Sequence, residues 1–258
     1  MSLLSCESLH AGYNGKTVIK NISLSFQEGS MVSVIGPNGS GKSTLLKCLG
    51  RLIKPTEGRV FLDGRSISML NSSEIARNIG ILAQSPSAPE DIPVHCLAAY
   101  GRSPYKKIMS SFTKEDREIV NWAVSAAGLD DKRHMPIGRL SGGERQRAWI
   151  AMALAQQPKI LLLDEPTTYL DIHHQFEILE LLQKLNKNCG LTVVMVLHDL
   201  NLASRFSGRM IALKNGETAL DGNSDEVVTE KNLYDIFRVK SRITESDGCR
   251  TALYTGVA

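Results

Sequence analysis

Apolar and polar positions along the chain change rhythm several times, and each rhythm predicts a different element. Ile22, Leu24 and Phe26 alternate with Ser23 and Ser25, a period of two that fits a half-buried strand. The first 30 residues read as short strands joined by turns. Asp63-Gly64, after the run at 59–62, is a hairpin turn signal. Elsewhere short runs are continuously apolar, at 31–35, 79–83, 160–163, 192–197 and 210–213, as strands buried on both faces require. Helical spacing lies between them. Leu45, Leu46 and Leu49 predict a helix ending near Gly50. Residues 113–127 open with Thr113 and Asp116 spaced as a capping box, and Gly128 stands where a C-cap belongs. Phe176, Leu179, Leu182 and Leu185 share one face of a helix over 174–187, with Glu180 and Lys184 four apart. Alternating buried strands and helices predict an α/β fold with right-handed crossovers and a mainly parallel sheet. Residues 86–112 break every rhythm, holding four of the nine prolines, and read as a lid or a partner-facing surface.

Composition narrows the function classes without naming one. A chain of 258 residues, 42% hydrophobic and 22% charged, has ordinary globular composition and enough length for a real core. Thirty Lys and Arg against 27 Asp and Glu leave a net charge of only +3, and aromatics make up 5%. Both argue against a nucleic-acid partner, which calls for a basic excess and stacking platforms. No run approaches the ~18 apolar residues of a membrane span, and the first ten residues lack the pattern of a signal peptide. Cys6, Cys48, Cys96, Cys189 and Cys249 are scattered, with no C-x-x-C pair. The expectation is a soluble chain of a reducing cytosol, without a disulfide framework or a sequence-evident zinc site.

The informative chemistry begins at 36–44, which reads GPNGSGKST. Gly36, Pro37, Asn38, Gly39, Ser40, Gly41, Lys42, Ser43 and Thr44 satisfy G-x-x-x-x-G-K-[ST]. Glycines let backbone N–H groups converge on phosphate oxygens, Lys42 supplies charge to the β and γ oxygens, and the Ser43 hydroxyl suits Mg²⁺. The helix that follows adds its positive end. A buried run at 160–163 then delivers Asp164 and Glu165 at its C-terminal end, where open parallel sheets bind ligands. Asp164 would hold Mg²⁺ directly or through water, and Glu165 would polarise a water in line with the γ-phosphate. Leu140 to Gln146 reads LSGGERQ before an Ala-rich helical run at 147–155, making a second glycine-opened anion site. One chain with one phosphate loop offers it no second phosphate, so the economical arrangement is a two-fold dimer. There each copy caps the γ-phosphate held by the other.

Together these motifs resemble the ATP-binding cassette (ABC) superfamily, over essentially the whole chain. The phosphate loop, a signature close to LSGGQ (with Glu144 at the usual Gln position) and ILLLDEP occur in the expected order. The resemblance implies a P-loop NTPase (RecA-like) core with an N-terminal antiparallel β subdomain over 1–85 and 151–258. A helical subdomain over about 86–150 is expected to receive a coupling helix from a membrane permease. It further implies that Tyr13 stacks on adenine and that Gln84 senses Mg²⁺ and the attacking water. Asp171 is expected in a dimer-contacting loop, Ser141, Gly142 and Gly143 on the partner's γ-phosphate, and His198 as the switch histidine. Lys42, Gln84, Glu165 and His198 are thus the expected catalytic residues, and Ser43, Gln84 and Asp164 the Mg²⁺ residues.

Stretches 98–105, 163–179 and 196–206 are most similar to the ATPases of ferric-siderophore, haem and cobalamin importers. The run Thr167-Thr168-Tyr169 before Leu170-Asp171 looks most like the siderophore members. The resemblance implies an ATP-hydrolysing dimer on the cytoplasmic face of the inner membrane, bound to permease subunits and, through them, to a substrate-binding protein. A haem or cobalamin importer is the first alternative. A non-transport ABC ATPase is disfavoured, because only residues 45–140 separate phosphate loop and signature, leaving no room for long insertions. A module that holds ATP without consuming it is disfavoured by intact Glu165 and His198. His173 and His174 are adjacent and point to different helix faces, so they read as a polar helix start rather than a chelate. The methionines read as core filler. The tail at 231–258 carries no readable motif, although 232–237 are expected to pack on the core.

Overall fold

The structure, a computed structural model, describes residues 2–106, 111–246 and 248–257. The chain opens with β1 (Ser2–Tyr13), β2 (Lys16–Gln27), β3 (Met31–Ile35), α1 (Lys42–Leu49), β4 (Glu57–Leu62) and β5 (Arg65–Ser66). It continues through α2 (Ser72–Asn78), β6 (Ile79–Leu82), α3 (Val94–Ala99), α4 (Lys114–Ala126), α5 (Gly142–Ala155), β7 (Ile160–Asp164) and α6 (Ile172–Cys189). Then come β8 (Thr192–Val196), α7 (Leu200–Phe206), β9 (Arg209–Lys214), β10 (Glu217–Gly222), α8 (Ser224–Val227), α9 (Glu230–Phe237), β11 (Val239–Ser246) and β12 (Cys249–Val257). These elements gather into two compact units: the chain up to Leu70 together with Thr192 onward, and Asn71–Leu191.

In the first unit, β1 and β2 are each 12 residues long, so the short strands expected from the alternating pattern are in fact two long ones. Their register shifts at several points, and each bulge resets which side chains face inward, which hides a continuous strand from a period-two reading. Asn14-Gly15 and Asp63-Gly64 both take positive φ at the two central positions, as tight hairpin turns with the right-handed strand twist require. The antiparallel sheet runs β2-β1-β4-β5. Beside it, β3 lies between β8 and β9, parallel to both, and β10 adds an antiparallel edge to β9. All five residues of β3 and of β8 are buried, which explains why both read as unbroken apolar runs. The tail forms α9, which buries Leu233 and Ile236, and the β11–β12 hairpin, which packs on α7 and α9. The Asn201 amide pairs with both backbone groups of Ala252, joining α7 to β12.

In the second unit, β6 and β7 pair in parallel from Ile79–Ile160 to Leu82–Leu163. Helices α3, α4 and α5 pack on one another. Thr113 and Asp116 form the expected capping box, and Gly128 takes the left-handed conformation just beyond α4. The stretch at 86–112 is more ordered than its prolines suggest. Pro93 is the N-cap of α3, Val94 and Leu97 are fully buried, and a 3₁₀ turn follows at Tyr100–Tyr105. Proline at a helix start costs no hydrogen bond, so its presence there does not break the helix. Positions 107–110 of that stretch lie outside the described residues. Arg102 anchors the unit: it is buried, its Nε donates to Asp116 at 2.9 Å, its Nη1 donates to the Ala155 carbonyl, and it stacks on Tyr105. Burial alone would raise the Asp116 carboxyl, but hydrogen bonds from Arg102 and Thr113 override it and hold the carboxyl below its ordinary value.

Candidate active site

The phosphate loop connects β3 to α1 in the first unit. Gly36 (φ 145°) and Gly41 (φ 102°) hold conformations that side chains rarely adopt, in space already taken. A Cβ on Gly36 would lie 2.2 Å from the Leu213 carbonyl oxygen, and one on Gly41 2.5 Å from the Ile19 side chain. Helix α1 starts at Gly41 with no side chain capping it and no acidic residue in its first turn. The positive end of its dipole therefore faces the loop without an acidic side chain beside it. Lys42 is buried, and its Nζ donates to the carbonyls of Gly36 at 2.8 Å and Pro37 at 3.0 Å. The Ser40 hydroxyl oxygen is buried without a hydrogen-bond partner among the described residues. A phosphate oxygen would satisfy such an orphan, so this loop fits a nucleotide's phosphates. Ser43 is half-buried and Thr44 buried in the first turn of α1, while Asn38 and Gly39 are exposed. Tyr13 ends β1 and is 43% exposed. His198 is exposed just beyond β8, and Asp199 caps α7 by accepting from the N–H groups of Asn201 and Leu202.

The second unit holds the candidate carboxylates. Asp164 is the buried last residue of β7. Glu165 follows with φ 54°, a turn that redirects its side chain at the strand end. Gln84 Nε2 donates to Glu165 Oε2 at 2.6 Å, and Thr168 Oγ1 donates to the same oxygen at 3.0 Å. Two residues 81 positions apart thus meet because β6 and β7 are neighbours and both chains leave the sheet at the same end. Asp171 is exposed and caps α6, accepting from the His174 N–H.

The signature turn is built as a capped helix start. Helix α5 begins at Gly142, ahead of the Ala-rich run, with Ser141 as N-cap. The Ser141 hydroxyl accepts from the Glu144 N–H, and Glu144 Oε2 accepts from the Ser141 N–H. Lys132 forms an ion pair with the other Glu144 oxygen. These bonds, with Lys132 the largest contributor, lower the Glu144 carboxyl to about 2. Glutamate at this position is therefore a structural part of the turn, since it closes the capping box.

The sequence matches the ABC transporter family over residues 19–168. The chain belongs to that family. It is 46% identical over 243 residues, 94% of this chain and 90% of the relative, to the iron(3+)-hydroxamate import ATP-binding protein FhuC of Bacillus subtilis (strain 168). It is 45% identical over 247 residues, 96% of this chain and 91% of the relative, to the ferric enterobactin transport ATP-binding protein FepC of Escherichia coli (strain K12). A solved dimeric bacterial ABC transporter cassette shares 35% identity and a TM-score of 0.74, covering 85% of this chain and 98% of that one. The protein is an ABC cassette that binds and hydrolyses ATP, on an α/β fold with a parallel-sheet core and an antiparallel β subdomain. Cassettes of the family dimerise and pair with membrane subunits. Among the described residues of this one, no helix is long and apolar enough to cross a membrane.

Two features of the cassette escaped the sequence. Thr168 holds Glu165 from three residues away, an i,i+3 relation that is visible only once the turn is known. Lys132 reaches Glu144 from a 3₁₀ turn at Asp130–Lys132, with no sequence pattern linking them. The histidine pair also differs from expectation. His173 and His174 both reach Glu177, at 3.6 Å from Oε1 and 2.7 Å from Oε2, so their different helix faces do not keep them apart from one carboxylate.

Proposed function

We propose that the cassette is the ATP-hydrolysing motor of an importer for a ferric siderophore, working as a homodimer on the cytoplasmic face of the inner membrane. It engages integral permease subunits, with a substrate-binding protein acting on the far side. The siderophore assignment rests on relatives named for ferric hydroxamate and ferric enterobactin, matched over more than nine-tenths of the chain. Residues of about 86–150 form the helical subdomain that receives the permease, set on a core of 1–85 and 151–258.

The hydrolysis reading is carried by the Gln84–Glu165 hydrogen bond beside buried Asp164. Glu165 is the base that takes the proton of the attacking water, and Gln84 and Thr168 fix the direction of its carboxylate. Tyr13 stacks on adenine, and the loop from Gly36 to Thr44 cradles the phosphates. Ser43, Gln84 and Asp164 would hold Mg²⁺, which when bound would supply positive charge to the phosphates. Lys42 neutralises negative charge on the β and γ oxygens, and His198 orients the γ-phosphate. Ser141, Gly142 and Gly143 of one copy, with Asp171 nearby, close over the nucleotide of the other.

Glu165→Gln is expected to lower ATP turnover by roughly a hundredfold or more while nucleotide affinity stays near wild type. Turnover and fluorescent-nucleotide titration measure the two quantities. Wild-type turnover in that variant assigns the base elsewhere. The substrate is tested separately, by uptake of radioactive iron as a hydroxamate siderophore in cells lacking the gene and in cells supplied with it.

A further inference from the structure

We propose that His173, His174 and Glu177 form a binding site for a divalent transition-metal ion on the surface of the cassette, beside its signature turn. The site lies outside the hydrolysis machinery and does not depend on the importer's substrate.

The geometry comes from the first turns of α6. Asp171 caps the helix, which places His173 and His174 in its first turn and Glu177 one turn later. Glu177 stands four residues after one imidazole and three after the other, and both spacings bring side chains together on a helix surface. The ring centroids are 5.3 Å apart with planes tilted by 53°. One ligand atom from each of the three residues lies within 4.8 Å of the others. Bonds of about 2.0–2.2 Å in a tetrahedral set put ligand atoms roughly 3.4 Å apart, so a small closure of the side chains completes three positions.

The donor set chooses the ion. Two imidazoles and a carboxylate suit Zn²⁺, Co²⁺, Ni²⁺ or Cu²⁺, whereas Mg²⁺ and Ca²⁺ call for oxygen. The His173 side chain is 76% exposed, which gives an ion a way in and leaves a fourth position to water. Glu177 divides its oxygens: Oε2 accepts from Arg147 at 2.7 Å, while Oε1 faces His173. An ion on Oε1 can therefore bind with the Arg147 bond retained, although His174 must give up its own bond to Oε2. The positive helix start works against a cation, and the Glu177 charge works for it.

The site is also tied to the signature turn. A Cβ built on Gly143 would sit 2.6 Å from the His174 ring, so that ring packs directly on the signature glycine. An ion gripping His174 would fix the surface on which Gly143 rests.

The test uses the full chain without nucleotide, with Co²⁺ followed by its visible absorption and Zn²⁺ by calorimetry. One ion per chain is expected, undisturbed by millimolar Mg²⁺. His173→Ala removes an exposed side chain and should weaken binding at least about tenfold. Glu177→Gln should weaken it too, but it also disturbs Arg147, so His173→Ala decides. His134→Ala serves as a control on the other close histidine pair, His95 and His134, whose centroids are 4.9 Å apart, and should bind as wild type. The proposal is overturned if wild type takes up less than one ion per chain. It is equally overturned if His173→Ala binds as tightly as wild type, or if His134→Ala is the variant that loses the ion.

Discussion

At Gly36 the phosphate loop leaves no room for any other residue. Its φ of 145° is strained for a side chain, and the space a Cβ needs is filled by the Leu213 carbonyl, a backbone group of β9 that cannot swing aside. Gly36→Ala should therefore shift the β3–β9 contact, costing about 1–3 kcal/mol in stability and abolishing nucleotide binding. Denaturant unfolding and nucleotide titration check the two effects. This requirement is why the loop was legible from residue types alone: the backbone conformation dictates glycine, and glycine at that spacing is visible in sequence. The partners of Glu165 are a different matter. Gln84 and Thr168 converge on one carboxylate oxygen through the pairing of β6 with β7 and a positive-φ turn, and neither leaves a periodic trace. The resemblance supplied Gln84, and nothing supplied Thr168. His173 and His174 show the limit of a helical-wheel argument, which places Cβ atoms but not the reach of two imidazoles toward a shared carboxylate.

Among the elements, those with one strong pattern emerged as expected, and those whose pattern was interrupted did not. Helix α4 was legible because its cap, apolar stripe and terminal glycine agree. Helix α3 was hidden among prolines, because six residues are too few to establish a period. Strands β1 and β2 were cut short on paper by bulges that preserve the strand while breaking its alternation. Helix α5 carries the sharpest consequence at this scale, since its start depends on ionised Glu144. That carboxyl titrates at about 2 in the folded chain against an ordinary 4.5. Its stabilising contribution is complete above pH 4.5 and is lost as pH falls toward 2. Glu144→Gln cannot ionise, so the stability difference between wild type and this variant should shrink steadily as pH falls through that window. Urea unfolding of both proteins at pH 6 and at pH 3 measures it. A difference that does not change with pH would show that the Lys132 and Ser141 contacts are not what lowers the carboxyl.

For the whole molecule, the decisive fact is how the functional residues are shared out. The phosphate loop, Tyr13 and His198 belong to one compact unit, while Gln84, Asp164, Glu165 and the signature turn belong to the other. The signature turn presents exposed Ser141 and Gly142 at the start of α5. In the proposed homodimer, two-fold symmetry would bring the phosphate of a second copy to that surface. Ser141→Arg places a bulky side chain on that exposed surface without touching the phosphate loop. It should leave ATP binding to the single chain intact, abolish hydrolysis, and prevent the ATP-dependent dimer expected of the slowly hydrolysing Glu165→Gln variant. Because the substitution also removes the cap, which is worth about 1 kcal/mol, Ser141→Ala is the necessary comparison. That variant loses the cap but adds no bulk, and it should still dimerise. Light scattering with ATP and Mg²⁺, on each substitution combined with Glu165→Gln, separates the two effects. If the arginine variant dimerises as well as the alanine one, the signature turn does not close over the partner's nucleotide, and Ser141 matters to the cassette only as a helix cap.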